Sequence, residues 1–115
     1  MPNLVMEYSL PVEDSIDVRQ LLKTLHQVAL NSGLFDLDSV KSRAVCYQNW
    51  LIGKDDTSVD FIHINFDLLS GRTQEQKISL SHQLMQTLKE SAGDVHSLTI
   101  NIRDMDRECF QKVLN

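Results

Sequence analysis

Phe61-Ile-His-Ile-Asn-Phe-Asp-Leu, residues 61–68, decides the fold. Ile62, Ile64, Phe66 and Leu68 alternate with Phe61, His63, Asn65 and Asp67. A period of two turns one row of side chains toward a core and the other away from it. Downstream, Ser70-Gly71-Arg72 turns the chain, and Thr73 with Gln76 three residues later forms a capping box. The helix it starts buries Leu80, Leu84 and Leu88, with Gly93 as its stop. Leu98, Ile100 and Ile102 then alternate with Thr99, Asn101 and Arg103 as a last strand, and Cys109 to Leu114 reads as a final amphipathic helical turn.

Upstream of the same stretch, Gly53-Lys54-Asp55-Asp56 reads as a turn. Strand-like sequence rich in Val, Tyr and Trp precedes it, from Val40 through Leu51. Before that, Val18, Leu21, Leu22, Leu25, Val28 and Ala29 make one apolar stripe at helical spacing, which predicts a helix from Ser15 to Asn31. Gly33 suits the left-handed position that closes it. Pro11, Glu13 and Asp14 mark a loop, and residues 3–8 form a short strand near the start. The order is strand, helix, strand, given twice. It predicts an α/β (α+β) domain over residues 1–115, with two βαβ units forming a four-stranded mixed sheet. Right-handed crossovers put both helices on one face. The opposite face is left bare, and a second copy of the chain is the expected cover.

Composition narrows the classes of function. The chain has 115 residues, 42% hydrophobic and 23% charged, which suits one globular domain and needs no disulfide or metal to fold. Its net charge of −5 argues against a nucleic-acid partner, which calls for a basic stripe. No apolar run reaches the roughly 20 residues of a membrane helix, and no basic segment leads into an apolar one as in a secretory signal. Two distant cysteines, Cys46 and Cys109, fit reduced thiols in a cytoplasmic protein.

Pro2 is the first chemical candidate. Proline there is often merely tolerated after Met1. If Met1 is removed, however, Pro2 presents a secondary amine at the start of a strand. Burial and neighbouring cations both lower an amine pKa, which makes such an amine a general base near neutrality. Lys41, Arg43 and Arg72 fall at strand or turn positions, and the spacing of Lys41 and Arg43 puts them on one strand face. Each alone is ordinarily a solvated charge. Together with a base they can hold carboxylates, arginine by a bidentate fork. His63 on a polar strand face, and Glu7 and Trp50, are candidates to line a pocket, each with an equally good packing role. His26, His63, His82 and His96 have no metal-ligand spacing, and no phosphate loop or nucleophile elbow is present.

These motifs together resemble a known family. The opening Met-Pro-Asn-Leu-Val-Met-Glu-Tyr-Ser, Ser-Gly-Leu-Phe at 32–35, Val-Lys-Ser-Arg at 40–43, Phe-Ile-His-Ile at 61–64 and Ser-Gly-Arg-Thr at 70–73 look like the 5-carboxymethyl-2-hydroxymuconate isomerase family of the tautomerase superfamily. The likeness runs in order from Pro2 to about Glu90 and is loose in the last quarter. It implies a trimer of tautomerase-like subunits with active sites near subunit boundaries. It also implies a proton transfer within an unsaturated, multiply carboxylated keto or enol acid of aromatic catabolism, without metal or organic cofactor. By position, Pro2 is the base and Arg72 binds or polarises the acid end. Lys41 and Arg43 fall where the family has two arginines around a serine; Lys41 keeps the charge without the planar fork. The same residues also admit a non-catalytic small-acid-binding or assembly protein on the trimeric fold, or a ferredoxin-like module that binds a small acid.

Overall fold

The computed structural model describes residues 1–54 and 59–115, and the strand at its centre is β3, Phe61–Leu69. The alternation of the sequence is realised there, since Ile62, Ile64, Phe66 and Leu68 are all 0% exposed. β3 pairs antiparallel with β1, Asn3–Ser9, and parallel with β4, Ser97–Met105. β2, Lys41–Tyr47, pairs parallel with β1 at the other edge, so the sheet order is β2-β1-β3-β4. Each parallel pair is joined through a helix, α1 (Val18–Asn31) or α2 (Gln74–Ala92). Leu21, Leu25 and Ala29 of α1 and Leu80, Leu84 and Leu88 of α2 share one core with Leu4, Met6, Ile64 and Phe66. The two βαβ units therefore put both helices on one face, as the sequence order predicts.

Local signals explain the element ends. Thr73 and Gln76 make both bonds of the capping box at the start of α2. α1 begins at Val18 rather than Ser15, because the Asp17 carboxylate accepts from the Gln20 amide and fixes the first turn. Gly33 follows α1 with φ of 75°, the left-handed conformation. Pro11 lies in a 3-10 turn, Leu10–Asp14, rather than a loop, with its missing N–H harmless near the start. β2 stops at Tyr47, four residues short of the expected end, so Trp50 lies beyond the strand. The helical turn near the end is Arg107–Cys109 rather than Cys109 to Leu114; Asp106 caps it by accepting from the Glu108 amide. Gly53 and Lys54 form a turn, with Gly53 at φ of 58°; Asp55 and Asp56 of that expected turn lie outside the described residues.

The open face of the sheet is polar at the Asn3 end and carries the exposed Val45 and Tyr47 toward the other. Lys41, Asn3, Asp67 and Arg103 stand in one cross-strand row, and Arg103 grips Asp67 at 2.7 and 3.2 Å. Nearer the far end, Tyr47 donates to Glu7 at 2.7 Å.

Candidate functional site

Pro2 directly precedes β1 and is buried. Proline has no amide hydrogen to give to a ladder, so a strand start suits it. Its carbonyl accepts from the Lys41 amide at 3.0 Å, which extends the β1–β2 ladder by one bond and fixes the residue in place. The antiparallel register brings the end of β3 back to this point, with Asn3 opposite Asp67. Ser70 and Gly71 then turn the chain, Gly71 at φ of 127°, and deliver Arg72.

The Arg72 guanidinium is held firmly. Nη1 donates to the Leu69 carbonyl at 3.2 Å and Nη2 to the Leu34 carbonyl at 2.8 Å. Its Cζ lies 5.0 Å from the centre of the Phe35 ring, which itself stacks on Phe66 at 5.6 Å. A guanidinium has five N–H donors, so three are left for a ligand. Ser-Gly-Leu-Phe thus acts here as a mount for the arginine, its Leu34 carbonyl and Phe35 ring both in contact with it.

Electrostatics point the same way. The Met1 ammonium is pushed below its ordinary value of 8.0, first by burial and then by Arg72, Lys112, Arg107 and Lys41. Both causes favour the neutral amine. Arg72 and Lys41 are the two of these four cations that the sequence reading also singles out. Arg43 shares the exposed face with Lys41, and its Nη1 donates to Asn3 Oδ1 at 3.3 Å. Arg107 and Lys112 are additions that no motif marks. They arrive because β4 runs parallel to β3, so the segment after Met105 is carried to the turn at Ser70. The parallel pairing of the last strand is the signal that could have found them.

The other sequence candidates stand apart. His63 lies opposite Glu7, and its ring nitrogens engage Thr99 Oγ1 at 2.6 Å and Asn65 Oδ1 at 3.0 Å. Trp50 lies past the far end of β2, donating from Nε1 to the Val59 carbonyl at 2.8 Å. From Asn3 to Ser9 a strand runs about 20 Å at some 3.3 Å per residue, so within one chain Trp50 does not reach Pro2. Trp50, Tyr47, Phe61 and Glu7 line an aromatic cavity of about 440 Å³ at that end. A cavity of about 540 Å³ opens between Leu34 and the first turns of α2; among the described residues its wall has Glu75 and no cation, which ill suits an acid ligand. Among the described residues no three His, Cys, Asp or Glu side chains gather as a metal site, and no helix is long and apolar enough to cross a membrane.

The sheet order and the paired helices define the class: this is a tautomerase-fold protein. Residues 2–112 match the sequence profile of the 5-carboxymethyl-2-hydroxymuconate isomerase family, and the chain belongs to that family. A 5-carboxymethyl-2-hydroxymuconate isomerase from Deinococcus radiodurans R1 has a similar structure, with a TM-score of 0.89 at 21% identity over 99% of this chain and 90% of that one. A 5-carboxymethyl-2-hydroxymuconate delta-isomerase gives 0.87 at 16% identity, over 100% and 89%. A fused 4-OT symmetric trimer gives 0.75 at 23% identity, over 96% and 90%. Among curated proteins none matches by sequence.

Proposed function

We propose that the chain is a cofactor-independent isomerase of the tautomerase kind, acting on an unsaturated, multiply carboxylated keto or enol acid of aromatic catabolism in the cytoplasm. The observation that carries this reading is the gathering of Lys41, Arg72, Arg107 and Lys112 about an amino terminus that is partly withdrawn from water. Removal of Met1 transfers the terminal amine to Pro2. The neutral amine takes a proton from one position of the bound acid and returns it to another, so the product is an isomer and the base is regenerated. Arg72, with three donors uncommitted, binds the acid end and stabilises the negative charge that builds up as the proton leaves. Lys41 and Arg43 hold a second carboxylate.

His63 and Trp50 can join such a site only from another copy. A homotrimer, the assembly named for a fused 4-OT protein of this fold, brings the aromatic end of one subunit toward the Pro2 end of the next in this reading. The same cations also suit a small-acid binder without catalysis, and Pro2 separates the two. Intact mass establishes whether Met1 is removed. The processed protein is expected to ketonise a dicarboxylated dienol, with activity unaffected by a chelator. One residue added before Pro2 makes its nitrogen an amide, which cannot accept the proton, and turnover is expected to fall about 10²–10⁴-fold. Equal activity of the extended form rejects the base; binding without turnover in both forms leaves the binder.

A further inference from the structure

The turn that delivers Arg72 is clamped from the C-terminal side. Arg107 Nε donates to the Ser70 carbonyl at 2.5 Å, and the Ser70 amide donates to the Met105 carbonyl at 3.0 Å. The Arg107 side chain lies flat against Gly71: a Cβ built at Gly71 would stand 3.4 Å from Arg107 Nη2 and 3.7 Å from Nε. Gly71 is required by the turn itself, since its φ of 127° is one that side-chain-bearing residues rarely adopt, and the guanidinium packs beside it. Among the described residues Arg107 forms no salt bridge, so its bond is spent on the backbone of the turn. One residue further on, Arg72 is aimed by its bonds to Leu69 and Leu34.

We propose that Arg107 is a positioning residue for Arg72, latching the Ser70-Gly71-Arg72 turn so that the free donors of Arg72 hold the angle at which a carboxylate is gripped. The proposal rests on the reading of Arg72 as the acid-binding residue. It differs from a purely electrostatic role, although Arg107 is also among the cations that lower the terminal amine. A lysine at 107 restores charge but cannot offer Nε–H to Ser70 while lying flat on Gly71.

The test compares Arg107→Met, which keeps the aliphatic stem, with Arg107→Lys, Arg72→Ala and the Arg107→Met/Arg72→Ala double variant. Two readouts are used: steady-state kinetics on the dienol, and calorimetric binding of glutarate as an unreactive dicarboxylate. Both Arg107 variants are expected to raise KM and weaken glutarate binding about 3- to 10-fold, the span of one hydrogen bond. The double variant is expected to be no worse than Arg72→Ala alone, because residues acting through one another are not additive. The acid limb of the pH profile is expected to move upward in Arg107→Met and to stay in Arg107→Lys. Full rescue of KM by lysine, or additive losses, would overturn the positioning role while leaving the isomerase reading intact. If the parent protein neither turns over the dienol nor binds glutarate, the acid-binding reading fails and takes the latch with it. Should Arg107→Met not fold, Arg107→Lys carries the test by itself. The same rise in KM is expected of it, and an unchanged KM overturns the proposal.

Discussion

The two ends of the sheet shift titrating groups in opposite directions for one physical reason. At the start of β1 the terminal amine is pushed down by burial and by four cations. At the other end the Tyr8 phenol is pushed up by burial and by the Glu13 carboxylate, to which its hydroxyl donates. In both places the surroundings favour the neutral form. The consequences differ because the starting values differ. An amine held neutral is a base at ordinary pH, whereas a phenol whose ordinary value is 10.0 is already neutral there, and raising it only makes it more inert. In the proposed reading, proton chemistry therefore belongs to the amino-terminal end, and Tyr8 serves the core at the other.

The largest effect after blocking the amine is expected from Arg72. Arg72→Ala removes a charge-assisted contact of about 1.5–3 kcal/mol, so kcat/KM should fall roughly ten- to a hundred-fold. Arg72→Lys should recover part, returning the charge without the fork. Because Arg72 also ties Leu34 to Leu69, thermal melting must show that the variants remain folded at the assay temperature. A loss in kcat/KM below twofold in a folded Arg72→Ala variant would mean that the arginine is a brace for Phe35 and the carbonyls and not a ligand-binding group.

How much of this the sequence carries depends on the range of each signal. Side-chain period and capping are local, so Ile62 to Leu68 and the Thr73–Gln76 box declare β3 and α2 without help from the rest of the chain. The end of β2 is less legible: Val, Tyr and Trp continue to read as strand as far as Leu51, yet pairing with β1 finishes at Tyr47 opposite Ser9. Once its partner runs out, a strand loses its hydrogen bonds whatever its propensity. The site is the least local part. Lys41 and Arg72 stand out in motifs, but Arg107 sits among Asp104, Asp106 and Glu108, Lys112 lies in the stretch read as an amphipathic helical turn, and no motif marks either. Only the parallel register of β4 carries them to the amino terminus.

A smaller effect sharpens the cationic side of the comparison. Each cation lowers the terminal amine, so Lys41→Gln lets the amine keep its proton to higher pH. The acid limb of kcat/KM should move upward, toward the ordinary amine range. Exposed charges contribute about 1 kcal/mol or less, so the loss at neutral pH should not exceed roughly fivefold. Raising ionic strength in the parent protein should move the limb the same way, because screening weakens all of these cations together. A limb indifferent to both Lys41→Gln and salt would leave burial alone as the cause.

The smallest effect on activity is expected at the opposite end, from Tyr8→Phe. Tyr8 is 6% exposed, and its ring belongs to the core on the helix side of the sheet. The phenylalanine keeps that packing and removes only the hydroxyl that donates to Glu13. Turnover at neutral pH and the acid limb should both match the parent. Stability should change by about one hydrogen bond, on the order of 1 kcal/mol, at neutral pH. The informative change lies in alkali. A phenol raised in the folded chain ionises first in the unfolded chain, so its contribution is complete below pH 10 and is lost as pH rises above that value. Denaturant midpoints measured from pH 8 upward should therefore fall more steeply in the parent than in Tyr8→Phe, the two curves converging as the phenol's contribution disappears. Parallel curves across that range would show that Tyr8 is as free to ionise in the folded chain as in the unfolded one. The two ends would then no longer form a matched pair, and the neutral amine would be a peculiarity of its cations rather than one half of a common effect of burial.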